Sequence, residues 1–196
     1  MKPIAYISDV MKMFLMVGIH PDDRNYLRFL WEDPEDESMA VYRLKVLPFG
    51  LTCSSYIAIA TVHYHAKKYI KEYPNVVKEL TENVYVDDLL TGSYTLEEAV
   101  LDYTAELSIM KDAGMKLRKW ISNNTELNEK FKADEVASSD DFKSISSEKS
   151  VLGVTWNNSE DYFTFHEKGK LSATTNIRPT KRNLLSVAGK LYDPSG

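Results

Sequence analysis

Asn83-Val84-Tyr85-Val86-Asp87-Asp88-Leu89-Leu90 is a β-prone, apolar stretch broken near its centre by two adjacent carboxylates. Apolar flanks around such a pair predict a tight hairpin with Asp87 and Asp88 at its turn. Toward the C-terminus, Thr95 and Glu98 make a capping box, and Ala99, Tyr103, Leu107 and Met110 line one helical face. Gly114 is placed to end that helix. Toward the N-terminus, a helical pattern runs from Thr52 to Pro74, which ends it. Ser54 or Ser55 is available as its N-cap, and Ile59, Val62, Ala66 and Tyr69 recur at three- and four-residue steps. Before it, the β-prone runs Tyr26 to Trp31 and Met39 to Leu44 flank Glu32-Asp33-Pro34-Glu35-Asp36-Glu37 and predict another hairpin, ending at Pro48-Phe49-Gly50. Tyr6 to Val17 is apolar with few interruptions, as in a strand buried on both faces or a strand running into a short helix. Asp9 sits inside it.

From Ser122 to Ser150 the chain is rich in Ser, Asn, Asp, Glu and Lys without a sustained period, which predicts a weakly structured connection resembling an insertion. Val151 to Trp156 and Tyr162 to His166 then flank Asn157-Asn158-Ser159-Glu160-Asp161 as a further hairpin. Thr180 is placed to cap a last helix through Leu184, Leu185, Ala188 and Leu191. The expected organisation is a core over 1–121, a polar connection over 122–149 and a terminal hairpin and helix over 150–196. The fold class is α+β: an antiparallel sheet with helices packed on one face.

The 196 residues are enough for one domain with a real core. An apolar fraction of 43% lies in the globular range, and no run of eighteen apolar residues is present to span a bilayer, so a soluble chain without a membrane partner is expected. A single cysteine, Cys53, and no secretory leader point to an intracellular setting. The net charge of −5 runs against a nucleic-acid partner, which normally needs a basic face, but the acidic excess is concentrated in Glu32 to Glu37 and around Asp134 to Asp141.

Three acidic groups in apolar surroundings, Asp9, Asp87 and Asp88, are costly to place there without a cation. An Asp-Asp pair alone is more often a solvated turn, and Asp9 alone reads equally as a helix cap or strand edge. Together they offer what phosphoryl transfer requires: carboxylates holding two divalent ions about 3.5–4 Å apart. Hard oxygen ligands and substrate phosphates suit magnesium. His63 and His65 lie at i and i+2 of a helix and share no face, which rules out zinc between them.

Tyr85-Val86-Asp87-Asp88 resembles the YxDD box of reverse transcriptases. Asp9 with Phe14, five residues on, is similar to that family's first motif, and Leu47-Pro48-Phe49-Gly50-Leu51-Thr52 resembles the second, in the order the family requires. His20-Pro21-Asp22-Asp23-Arg24, Leu27-Arg28-Phe29-Leu30-Trp31, Leu117-Arg118-Lys119-Trp120, Val151-Leu152-Gly153 with Trp156-Asn157, and Thr180-Lys181-Arg182 through Asp193-Pro194 resemble the BEL/Pao class of long-terminal-repeat retrotransposons. Only Thr125 to Lys149 shows little likeness.

The resemblance implies a polymerase palm that adds deoxynucleoside triphosphates to a primer on an RNA or DNA template, using two Mg2+ ions. Asp9 and Asp87 would hold the metal ions, Asp88 would support them, and the Val10 carbonyl would add a ligand. Phe14 would be the gate against a ribose 2′-hydroxyl, and Pro48, Phe49 and Gly50 would shape the nucleotide pocket. Lys119 would act on the leaving pyrophosphate, with Lys116 as the competing candidate, and Tyr85, Leu152 and Gly153 would meet the primer. The family's preceding fingers segment, and a full thumb and RNase H region, are expected to be missing, which implies a fragment of a retroelement polyprotein working in a cytoplasmic virus-like particle. The alternative is a catalytically inactive remnant or a non-enzymatic interaction module. Two departures stand out: Phe49 where many retroviral relatives have glutamine, and Ser55 where proline is frequent.

Overall fold

The structure, a computed structural model, describes residues 2–137, 148–151, 154–165 and 180–188. Strand β1 (Ile4–Val10) is buried from Tyr6 onward, but its apolar run conceals an alternation. Tyr6 and Val10 enter the main core, while Ile7 and Asp9 project to the other face, as the two-residue period of a strand dictates. A single 3-10 turn, Met13–Met16, follows and buries Met13 and Phe14. Strands β2 (Arg28–Glu32) and β3 (Met39–Arg43) pair as the expected hairpin, with every residue exposed.

Helix α1 (Ser54–Ala66) starts after Cys53, and neither serine caps it. The Ser54 hydroxyl instead donates to the Pro48 carbonyl at 2.6 Å, tying the Pro48–Gly50 loop to the helix start. Pro74 is expected to end a helix and in fact begins one. Helix α2 (Pro74–Glu82) places it in the first turn, where its fixed φ suits the helix and no N–H is needed, and buries Val76, Val77 and Leu80. Strands β4 (Val84–Tyr85) and β5 (Asp88–Ser93) form the short hairpin, so Asp88 opens a strand and Val86-Asp87 alone make the turn.

Helix α3 (Leu96–Asp112) begins as expected: the Thr95 side chain accepts the Glu98 N–H at 3.2 Å. The Glu98 carboxylate accepts the N–H of Tyr94, one residue before the reciprocal position of a capping box. The helix closes at Gly114, whose φ of 70° suits a residue without Cβ, and the Met115 N–H returns to Met110 O. Strand β6 (Leu117–Ser122) completes a four-stranded antiparallel sheet of order β4-β5-β1-β6. The architecture is mixed α+β, consistent with part of a polymerase palm.

The largest departure from the sequence reading is helix α4 (Thr125–Ala137), where composition predicts a weakly structured connection. Leu127 and Phe131, one helical turn apart, are fully buried. Phe131 lies 4.8 Å from Tyr103 and 5.3 Å from Trp120, and those two rings meet edge to face at 4.8 Å. The Asn124 side chain accepts the Leu127 N–H and so caps the helix. Leu127 and Phe131 in a largely polar segment make no visible period, yet they are enough to dock the helix on an aromatic cluster.

The chain divides into two compact units, Met1–Lys143 and Ser144–Gly196. In the second, β7 (Glu148–Val151), β8 (Val154–Asn157) and β9 (Tyr162–Phe165) form an antiparallel sheet in which β8 and β9 are the expected hairpin. Helix α5 (Lys181–Ala188) has its Asn183 N–H bonded to Thr180 Oγ1 at 3.2 Å, and Leu191 lies outside the described residues. Among the described residues no helix is long and apolar enough to cross a membrane.

Gly92 sits opposite Ala5 in the β1–β5 pair, and a Cβ there would stand 2.4 Å from the Ile4 carbonyl oxygen. Gly92→Ala is therefore expected to destabilise the sheet by about 1–3 kcal/mol through backbone overlap, read from urea unfolding.

Candidate active site

Asp9 lies near the end of β1 and faces Asp88, the first residue of β5, across an antiparallel pair. Residues directly opposite share a face of a sheet, so both carboxylates lie on the face away from Tyr6 and Val10. The Val10 N–H donates to the Asp87 carbonyl at 2.7 Å, which holds the Val86-Asp87 turn against the end of β1. Asp9 and the adjacent pair Asp87-Asp88, distant from it in sequence, are thus brought to one corner of the sheet. Asp9 is buried, Asp88 half-buried and Asp87 exposed. Val86 takes a φ of 55°, an uncommon conformation for a β-branched residue, at this turn.

Asp9 is not alone. Lys119 Nζ donates to Asp9 Oδ2 at 3.1 Å, and Arg118 Nε stands 3.3 Å from Oδ1. Adjacent residues on a regular strand point to opposite faces, so both reaching one carboxylate needs a cause. The β1–β6 register supplies it: Ile7 pairs with Ile121 but Asp9 with Arg118, so β6 carries an extra residue between them. Lys119, with φ 56°, lies in that bulge. The bulge re-aims one side chain, a common use of such irregularities beside active sites. Arg118 has no role in the sequence reading because only the bulge brings it to the same place as Lys119.

Phe14 is buried in the 3-10 turn after β1, and its ring centroid lies 4.7 Å from that of Phe49. The Pro48–Gly50 loop is held by the Ser54 bond and by the Leu47 N–H donating to Val17 O at 2.9 Å. Gly50 adopts φ 90°. These contacts join the second motif to the turn that carries Phe14. Tyr85 is exposed beside the Asp87 turn, and Lys116 is half-buried, its carbonyl accepting the Met11 N–H. Leu152 and Gly153 fall outside the described residues. His65 Nε2 donates to the Ile109 carbonyl at 2.9 Å, a packing role.

The donor set has the chemistry of a hard-cation site, with carboxylate oxygens on one sheet face. Asp9 Oδ1 is buried and makes no hydrogen bond, its charge being met by Arg118 Nε at 3.3 Å, which a divalent cation would have to displace. In side-chain placement, however, Asp9 is given to Arg118 and Lys119. Among the described residues no three acidic, histidine or cysteine groups converge closely enough to hold an ion. The residues suit a divalent cation, with two basic side chains competing for the central carboxylate.

Behind the sheet lies a second polar group. Glu106, on the buried face of α3 three residues after Tyr103, is completely buried, and neither carboxylate oxygen has a hydrogen-bond partner. Burial, then the charges of Asp102 and Glu79, push its carboxyl well above the usual range. A charged residue at a helical core step, 99-103-106-110, is the sequence signal that the reading passed over in favour of Leu107.

Residues 2–130 match the family model described as reverse transcriptase (RNA-dependent DNA polymerase). No curated protein matches the chain.

Proposed function

The chain belongs to the reverse transcriptase family, and from that premise we propose that it is the palm of a two-metal polymerase in which Asp9, Asp87 and Asp88 form the reaction centre. The observation that carries this reading is the cross-strand pairing of Asp9 with Asp88 and the bond tying the Asp87 carbonyl to Val10. Asp9 and Asp87 would hold two Mg2+ ions, Asp88 would support them, and the Val10 carbonyl would add a ligand. Bound divalent ions supply Lewis acidity and neutralise charge at the transferring phosphoryl group.

The chain's own residues bind, orient and exclude. Pro48, Phe49 and Gly50 shape the nucleotide pocket, and Phe14, braced by Phe49, fills the space a 2′-hydroxyl would need, so ribonucleotides are rejected by clash. Lys119, brought beside Asp9 by the β6 bulge, would turn its ammonium to the departing pyrophosphate. Tyr85, Leu152 and Gly153 contact the primer. The substrates are deoxynucleoside triphosphates and a primed RNA or DNA template. The finer likeness of the sequence motifs, to the BEL/Pao class, supports reading the chain as part of a retrotransposon polyprotein that works within a cytoplasmic particle.

A primer-extension assay with magnesium tests the reading, run on this chain and on a longer polyprotein containing it. Template-directed extension by either supports it, and none from both overturns it in favour of an inactive remnant. In the active preparation, Phe14→Val is expected to weaken discrimination against ribonucleotides about 10–100-fold, measured as the ratio of kcat/KM values. Lys119→Ala is expected to lower turnover about 100-fold with little change in nucleotide KM, measured by steady-state extension.

A further inference from the structure

Hairpin β2–β3 is exposed on both faces and pairs with no other strand among the described residues. Phe29, Trp31 and Tyr42 share one face, with Phe29 and Tyr42 stacked across the strands at 5.9 Å, and Leu30 and Val41 share the other. A two-stranded hairpin of this kind is marginal in water, and an apolar edge strand is a template for further pairing.

The backbone shows which groups the edge offers. The Leu44 N–H bonds to Leu27 O at one end of the hairpin, and the Asp33 N–H bonds to Ser38 O at the other. By the alternation of an antiparallel ladder, the N–H and C=O groups of Phe29 and Trp31 point toward β3, while those of Arg28, Leu30 and Glu32 point outward. Outward groups centred on Leu30 read the same from a two-fold partner. In that antiparallel register Arg28 faces Glu32, Phe29 faces Trp31, and Leu30 faces itself. Opposite charges and aromatic pairs therefore fall in register twice. A shift of two residues in either direction loses both charge pairs and leaves a single aromatic self-pair, of Trp31 or of Phe29. The outer edge of β3 lacks this property, since the same operation about Val41 sets Met39 against Arg43 and Ala40 against Tyr42.

Charge along the hairpin runs the same way: the tip, Glu32 to Glu37, is acidic, and the root carries Arg28 and Arg43, both bound to the Asn25 side-chain oxygen. A two-fold partner lays each acidic tip beside a basic root. We infer that the outer edge of β2 is a homodimerisation strand, which pairs with β2 of a second copy of this chain in the register that sets Arg28 against Glu32. The inference is independent of the polymerase reading, because the hairpin contributes none of the carboxylates.

Sedimentation equilibrium of the full 196-residue chain is expected to give twice the monomer mass. Arg28→Glu, which faces Glu32 with a like charge, should return the mass to that of the monomer. Arg28→Glu combined with Glu32→Arg, which restores the pairing with reversed signs, should double it again. Circular dichroism of each variant checks that the fold is kept, and the double variant keeps the test decisive if the single one folds poorly. A wild-type chain that stays monomeric at its highest soluble concentration overturns the inference and leaves the edge to a different protein segment. A dimer that survives Arg28→Glu also overturns it, since the contact must then lie elsewhere.

Discussion

Asp87→Asn is expected to reduce primer extension by about three orders of magnitude or more, equivalent to about 4 kcal/mol of lost transition-state stabilisation, while leaving the fold's stability nearly unchanged. The two halves of this expectation come from different parts of the residue. Its side chain is exposed at a two-residue turn, so an isosteric amide costs no packing, and surface changes of this sort stay within about 0.5 kcal/mol. Its backbone carbonyl, which carries the bond to Val10, is untouched by the change. What is lost is a charged oxygen that can bind a cation. Steady-state extension and thermal unfolding of the same preparations check both halves. A variant that keeps activity within tenfold of wild type removes Asp87 from the reaction centre. Asp9→Asn is the poorer test, because it also leaves Arg118 and Lys119 facing one another without their shared carboxylate.

Glu106→Gln is expected to stabilise the protein at neutral and alkaline pH, by an amount that grows with pH. Burial holds the folded-state carboxyl well above its ordinary value near 4.5, with Asp102 and Glu79 adding to the rise and Lys2 opposing it. Asp102 is itself raised, chiefly by its own burial, and Tyr6, across from Glu106, is raised by burial and then by the Glu106 charge. The folded state therefore binds a proton that the unfolded state has released. Stability from a raised group is fully present below the unfolded value and is lost as pH climbs toward the folded one, at up to about 1.4 kcal/mol per pH unit for a single proton. Glutamine cannot ionise, so the variant lacks this slope. Urea unfolding of wild type and variant from about pH 5 to about pH 8 should show the two curves diverging upward in pH. Parallel curves would mean that Glu106 does not hold the proton.

Much of the palm was legible because local chemistry and tertiary need agree there. Thr95 caps α3, and Gly114 closes it with a positive φ that few other residues tolerate. The hairpin around Asp87 follows from a polar pair between β-formers, although its turn falls on Val86-Asp87 and Asp88 opens the next strand. Where legibility failed, one local signal carried two meanings. Pro74 ends helices and starts them with equal ease, and only the burial of Val76, Val77 and Leu80 decides which. Helix α4 was hidden because Leu127 and Phe131, in a largely polar segment, leave no period to see.

The order and spacing of Asp9, Leu47 to Thr52 and Tyr85 to Asp88, together with the α+β alternation of elements, were determined by the sequence alone, since each rests on residue type and near neighbours. Tertiary structure decided that Asp9 stands opposite Asp88, that an extra residue in β6 swings Lys119 to the side of Arg118, and that Glu106 lies sealed beneath the sheet. Register, bulges and burial depend on contacts between segments tens of residues apart, and no local preference of the backbone encodes those distances.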